Sequence, residues 1–316
     1  MKIGWVHDPR FLQHDLGGVH VERPARLQVI LEALREASLL DQLVSLRFSA
    51  ATAEQLALVH DPAYVELVRL MCEGGFTFIG SPDTYLCGES YHVAALAAGG
   101  VLAACDEVMA GSVTRAFCAV RPPGHHAEFD QASGFCLFNH VALAAEYLVR
   151  KHGVARVAIV DFDAHHGNGT QHIFEQRRDV LYISLHEGPE SLAFPGTGYA
   201  AETGLGDGVG YTLNVSLNRY CGPRDYLEAV DQRVLPALHR FEPQVLLVSA
   251  GFDALSGDNV ANLSLDPESF GPLTDRLIAV AQHHSQGRMV SVLEGGYDLA
   301  HLGSAVAAHV RALCSD

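Results

Sequence analysis

Basic residues are scarce in this chain: 21 lysines and arginines stand against 37 aspartates and glutamates, a formal net charge of −16. Nucleic acids and anionic membranes are bound through basic patches, so neither is an expected partner. The acidic balance suits cationic substrates drawn in by the overall field, although an acidic surface also serves plain solubility. Charge of either sign is sparse, at 18% of residues against 48% hydrophobic, which excludes disorder. No two of the seven cysteines (Cys72, Cys87, Cys105, Cys118, Cys136, Cys221 and Cys314) form a Cys-x-x-Cys pair. Their odd count, and their place in apolar runs such as AFCAV, predicts reduced core thiols in a cytoplasmic protein. MKIGWVHDPR holds no apolar stretch of signal-peptide length. The most apolar segment, VAALAAGGVLAAC (93–105), falls short of the ~18 residues of a membrane span, and its Ala and Gly suit a closely packed buried helix. Neither an internal repeat nor a low-complexity linker is visible, so residues 1–316 read as one domain.

Apolar residues recur with helical spacing over 25–37, where Leu27, Ile30, Leu31 and Leu34 share a face. Thr52 and Gln55 form a capping-box pattern, and Asp61 with Pro62 marks another helix start. Further helices are expected near 89–110, 139–152, 224–240, 267–286 and 298–313, with Pro236 kinking or breaking the one that contains it. Between them lie continuous apolar runs at 116–120, 157–160, 180–185, 245–250 and 289–293. Such runs alternating with helices predict an α/β fold: a three-layer α/β/α domain with a mostly parallel central sheet. Each run is followed at once by polar chemistry (RPPGHH, DFDAHH, HEG, GFDAL and EGGY). Ligands of open α/β sheets bind at the carboxyl ends of strands, so these loops are expected to build one composite active site there.

DFDAHHGNG, 161–169, crowds Asp161, Asp163, His165 and His166 at a strand end. Buried charge of this density needs a metal or close pairing. Asp161 and Asp163 should share a face, and Asp163 with His165 offers one oxygen and one nitrogen ligand. Asp253, from another strand end, can supply a third; three protein ligands with one open position is the arrangement of a catalytic zinc. The bland reading makes Asp161 a cap or turn residue and the histidines ordinary loop residues. Gly167 and Gly169 would let the backbone turn sharply. In RPPGHH, His125 and His126 are placed to move protons, and Gly134 and Phe135 could line a narrow apolar passage. Tyr297, in LEGGY, could donate to a developing oxyanion, or simply pack in a tight turn.

The succession HDLGGVHVERPARL, VHDPAYVE, PDTY, RPPGHHA, SGFCLFNHVA, DFDAHHGNGT, SLH, FPGTG, SAGFDAL and LEGGY resembles the zinc-dependent histone deacetylase superfamily over nearly the whole chain. The likeness is to its class II-like and bacterial branch of histone-deacetylase-like amidohydrolases and acetylpolyamine amidohydrolases. The resemblance implies zinc (Zn2+) on Asp163, His165 and Asp253. It makes His126 the general base and then acid, held by Asn168, with His125 an electrostatic histidine held by Asp161. Tyr297 would polarise the acyl carbonyl, and Gly134, Phe135 and Phe194 would line the acyl tunnel, with Asp83 anchoring substrate at the rim. It further implies potassium (K+) at one site of Asp161, Asp163, His165, Ser184 and Leu185, and at a second of Phe174, Arg177, Val180 and Tyr211. The expected activity is zinc-dependent hydrolysis of acyl-lysine in proteins or of small acylated amines, acetylpolyamines being the alternative substrate; a homo-oligomer is left open. Val21 stands where such chains commonly carry proline, and SGDNVANLSL, 256–265, is unusual. A binuclear manganese ureohydrolase is the more remote alternative, disfavoured by Gly167 and Leu255 at positions where bridging aspartates would be needed. A non-catalytic acyl-lysine-binding module is another, disfavoured by the intact His125, His126 and Tyr297.

Overall fold

The computed structural model describes residues 2–18 and 20–315. Eight strands form a single sheet: β1 Ile3–Val6, β2 Leu43–Ser45, β3 Arg115–Cys118, β4 Val157–Asp161, β5 Val180–Glu187, β6 Thr212–Leu217, β7 Val245–Ala250 and β8 Met289–Leu293. Their order is β2-β1-β3-β8-β7-β4-β5-β6, and every recorded pairing is parallel. β3, β4, β7 and β8 are buried at every position. Helices cover both faces, which is why these strands read as unbroken apolar runs. The expected three-layer α/β/α architecture is present.

β1, β2 and β6 were not anticipated; β1 is an interior strand buried at all four positions, but it is short and broken by Gly4. β2 is a three-residue edge strand, mostly exposed, and β6 alternates between buried and half-buried positions at the other edge. Edge strands face water on one side and lack the continuous apolar signature. Helix starts were clearer. Thr52 and Gln55 form the reciprocal capping box, and Asp61 caps Pro62–Glu73 through its bond from the Ala63 N–H. The helix around Pro236 does not break: Pro223–Ala229 and Leu235–Phe241 are joined by a π-helical turn over Val230–Val234, an irregularity of the kind expected next to the proline. Widening the turn ahead of the proline makes room for its ring and absorbs its missing N–H.

The 93–105 segment belongs to a longer helix, Ser90–Met109, which at 20 residues is long and apolar enough to cross a membrane. It is a core helix here, with 72% of its apolar window buried inside the protein. A Cβ on Gly100 would press on the Val6 side chain at 2.5 Å, so small residues let this helix lie against the sheet.

Candidate active site

The carboxyl ends of β3, β4, β7 and β8 are neighbours or near neighbours in the sheet, and their loops meet over one pocket. This pocket, of about 160 Å³, is lined by Asp83, Pro123, His125, His126, Gly134, Phe135, Asp163, His165, Phe194, Val260 and Tyr297. A larger cleft, about 440 Å³, lies where β4, β5 and β6 begin, lined by Arg156, Arg178, Tyr211 and Arg240 among others; Tyr211 was expected at a potassium site, but none of the residues singled out for zinc or for the reaction lies there. Chemistry and not size picks out the smaller one.

Asp163, His165 and Asp253 converge at the pocket floor, with one potential ligand atom from each within 4.8 Å of the others. His165 Nδ1 lies 3.1 Å from Asp163 Oδ1 and 2.7 Å from Asp253 Oδ2. Backbone groups fix both carboxylates. The Gly295 N–H donates to Asp163 Oδ2 at 2.8 Å, the His165 N–H to Asp163 Oδ1 at 2.9 Å, and the Ala164 N–H to Asp253 Oδ1 at 2.8 Å. Electrostatically the trio demands positive charge. Burial works against a charged His165, yet Asp253 and Asp163 hold it well above the usual histidine range. Burial and the neighbouring Asp163 push Asp253 up to about 7. Two carboxylates and one imidazole around one point form an O,O,N donor set that fits zinc, and a divalent cation there would relieve that repulsion.

Asp161 ends β4 just behind this trio. Its Oδ2 accepts from His125 Nδ1 at 2.9 Å and from the Tyr182 hydroxyl at 3.1 Å, and its Oδ1 accepts from the Asp163 N–H at 3.1 Å. Asp161 thus contacts His125 and also bonds the backbone N–H two residues on, as a turn residue does. Burial opposes charge on His125, but Asp161 and Asp163 outweigh it and raise its pKa to about 10. Next to it, His126 is held well below the usual range by burial and by the charges of His125 and His165, so it is a neutral ring at pH 7. His126 Nδ1 lies 2.7 Å from Asn168 Oδ1. His166 points elsewhere, bonded to Thr197 and Gln171.

The pocket wall is apolar. The Phe194 ring packs edge-on against His126 at 5.0 Å, and Phe135 packs edge-on against Tyr297 at 5.6 Å. Phe135 holds a left-handed backbone, φ +69°, at the tunnel wall. A Cβ on Gly134 would collide with the His126 ring. Asp83 reaches the rim, where its carboxylate accepts from the Ser81 and Thr84 hydroxyls. The expected sharp turn at Gly167 and Gly169 needs correcting, since neither adopts a left-handed φ. They are glycines for lack of space. A Cβ on Gly167 would meet the Asp161 carboxylate and the Tyr182 hydroxyl, and one on Gly169 the Ala127 carbonyl.

Several positioning residues were not singled out from the sequence. Glu294, at the end of β8, accepts from the Gly124 and His125 N–H groups at 2.6 and 3.1 Å and from Ser249 Oγ at 3.1 Å, and burial pushes it up to about 7. Glu22, Arg26 and Arg121 form a buried ion network, with Arg121 gripping Glu22 at 2.6 and 2.7 Å and Arg26 reaching it at 3.1 Å. Asp258, inside the unusual 256–265 segment, accepts from the backbone N–H groups of Tyr297 and Asp298 at 2.7 and 3.1 Å. The signal for Glu294 was available: a lone carboxylate closing a strand that is apolar apart from Ser291. Arg26 lies only four positions from Glu22, but Arg121 and the loop partners of Asp258 lie too far along the chain to be read.

Of the two groups expected to hold potassium, the first has Asp161 and Ser184 as register partners on β4 and β5, and the Ser184 hydroxyl bonds His186 Nδ1 at 2.8 Å. In the second, the Phe174 carbonyl accepts from the Arg177 N–H at 2.9 Å, the Tyr211 carbonyl from the Tyr182 N–H at 2.9 Å, and Val180 opens β5.

An eight-stranded parallel sheet between helical layers, with a carboxylate–imidazole trio at its carboxyl edge, defines the arginase–deacetylase class of α/β/α proteins. Residues 20–313 match the histone deacetylase domain. The chain is 39% identical to the histone deacetylase-like amidohydrolase of Pseudomonas aeruginosa, over 95% of this chain and 76% of that one. It is 40% identical to a probable deacetylase of Methanothermobacter thermautotrophicus, over 98% of this chain and 89% of that one. It is also 40% identical to human polyamine deacetylase HDAC10, over 94% of this chain but only 45% of that longer protein. Among solved structures, the HD domain of HDA15 superposes with a TM-score of 0.94 at 36% identity, covering 99% of this chain and 88% of that one. The chain belongs to the histone deacetylase family, and a deacetylase activity is the function that this membership carries.

Proposed function

We propose that the chain is a zinc-dependent amidohydrolase that removes acetyl or other acyl groups from lysine side chains of peptides and proteins, releasing a carboxylate and a free amine. The observation that carries the reading is the meeting of the Asp163–His165–Asp253 trio, the neutral His126 and Tyr297 in one narrow, apolar-walled pocket. Zinc held by that trio would supply Lewis acidity toward the amide carbonyl and make water a better nucleophile near neutral pH. The remaining chemistry belongs to the side chains. His126, unprotonated at Nε2, takes the proton of the attacking water and returns it to the departing amine. His125, positively charged beside Asp161, stabilises negative charge that builds up in the pocket. The Tyr297 hydroxyl donates to the developing oxyanion. Phe135 and Phe194 exclude water from the acyl chain. Potassium at the two clusters around Asp161 and Phe174, and a reducing cytoplasmic setting, belong to the same proposal; the seven free cysteines support the latter.

Between the two substrate classes, the lining supports acyl-lysine. Apart from the metal trio, Asp83 is the one carboxylate among the described residues that line the pocket, and hydroxyl donors already occupy it. Val260, Phe135 and Phe194 are apolar, and Phe194 is 41% exposed at the mouth. A second ammonium of a polyamine would lack a free acidic partner there. The test is parallel turnover of acetyl-lysine peptide, longer acyl-lysine peptides and N-acetylputrescine by zinc-loaded protein. Faster turnover of N-acetylputrescine than of every peptide overturns the substrate assignment; no turnover of any amide overturns the whole reading.

A further inference from the structure

Asn168 is wedged between His126 and Glu128. Its Oδ1 lies 2.7 Å from His126 Nδ1; its Nδ2 lies 2.5 Å from Glu128 Oε1 and 3.5 Å from the His126 carbonyl oxygen. The two ends of a carboxamide have the same outline and differ only in what they can bond. Turned over, this amide would press its oxygen against two other oxygens. As it stands, both amide hydrogens meet acceptors. An ionised carboxylate only accepts, so Glu128 selects this orientation. Oδ1 can only accept, so the hydrogen of the neutral His126 ring must sit on Nδ1, which leaves the lone pair on Nε2 for the pocket.

Glu128 is itself held firmly. Its carbonyl accepts from His60 Nδ1 at 2.8 Å, its N–H donates to the Gln131 carbonyl at 2.9 Å, and its carboxylate takes a second donor, His172 Nδ1, at 2.9 and 3.0 Å. Asn168, by contrast, has no intrinsic preference for one face over the other. A carboxylate at 168 would accept from His126 either way round; an amide needs an outside group to orient it.

We propose that Glu128 is a positioning residue for the deacetylation reaction: it locks the Asn168 amide, and through it the His126 tautomer that leaves Nε2 free to accept a proton. This rests on the reading of His126 as the general base. Glu128 touches neither substrate nor metal ligands in this role; it acts through Asn168.

Exchanging the two groups tests it. Glu128→Gln lets the Asn168 amide turn, so kcat should fall about 10- to 100-fold with KM within about twofold. Asn168→Asp alone sets two carboxylates face to face and should lose activity as well. The double variant Glu128→Gln/Asn168→Asp restores one carboxylate and one amide in reversed order, and should recover kcat to within about fivefold of the parent. Nitrogen-15 NMR of the His126 ring reads the same point without turnover, in metal-free and zinc-loaded protein. The Nδ1–H tautomer should dominate in the parent and the double variant, and the Nε2–H form should appear in Glu128→Gln. If Glu128→Gln keeps the parent kcat and tautomer, or if the folded double variant recovers neither, the inference is overturned. The underlying reading fails separately, if His126→Ala retains turnover.

Discussion

Arg26 lies beneath Tyr297, its guanidinium carbon 4.8 Å from the centre of the phenol ring, while its Nε donates to the Gly296 carbonyl at 2.6 Å. Nη2 of the same side chain donates to the Glu294 carbonyl at 2.5 Å, and Nη1 reaches Glu22. One buried arginine thus carries the loop that presents the tyrosine, and Asp258 pins the same loop from the other side. Arg26→Met fills the volume but leaves Glu22 with fewer partners and two carbonyls without donors. The expected loss is about 3–5 kcal/mol of unfolding free energy, measured by urea titration, together with a drop in kcat. A variant of unchanged stability and activity would show that the network has no such role.

Tyr297→Phe separates chemistry from scaffold. Among the described residues no hydrogen bond is recorded to the Tyr297 hydroxyl, and the ring contacts with Arg26 and Phe135 survive in phenylalanine. The melting temperature should stay within a degree or two of the parent. Loss of an oxyanion donor should cost on the order of 3 kcal/mol of barrier, about 100-fold in kcat, with little change in KM. Equal losses in stability and rate would mean that the hydroxyl serves the fold instead.

Metal removal should act on stability as well as on rate. Asp163 and Asp253 are buried side by side, so stripping a cation returns their repulsion to the folded state. Dialysis against a strong chelator should abolish turnover and lower the melting temperature, and one equivalent of zinc should restore both. Asp253→Asn should bind less zinc by elemental analysis, and turn over less substrate, while folding normally. Full zinc occupancy in that variant would exclude Asp253 as a ligand.

A pH-dependent prediction comes from His309, whose ring packs against Phe162 and Phe252 in the core. Burial pushes its pKa down to about 3. Thr274 Oγ1 donates to the Phe270 carbonyl at 2.5 Å, so His309 Nδ1–H donates to Thr274, and the ring accepts the Ser291 hydroxyl at Nε2, 2.8 Å away. A second proton has no place to go. The folded pKa lies below the unfolded value near 6.5, so the contribution is complete above about pH 6.5 and is lost as the pH falls toward 3. His309→Gln should flatten the pH dependence of unfolding free energy between pH 6 and 4 by up to about 1.4 kcal/mol per unit. Parallel curves for parent and variant would show that His309 does not carry it.

What could be read beforehand follows the physics of burial. β3, β4, β5, β7 and β8 announce themselves because strands covered on both faces are near-continuous apolar runs, against which a cluster of polar residues at the strand end stands out. The trio Asp163, His165 and Asp253 is legible for that reason. β2 and β6, wet on one side, were not. Nor was Arg121 with Glu22, 99 positions apart, because an ion pair of that separation leaves no periodic trace. Glycines gave a third lesson: Gly167 and Gly169 read as turn formers, yet what demands them is the closeness of Asp161 and Ala127, a property of packing that only three dimensions disclose.

The backbone N–H groups of Gly295, His165 and Ala164 hold the Asp163 and Asp253 carboxylates independently of any cation placed between them. A cage braced in this way should keep its aperture when emptied. Ions that differ in radius must therefore adapt to the protein, not the reverse, and exchange of one for another should proceed at the pace of ion escape, with no refolding of the strand ends between departures and arrivals.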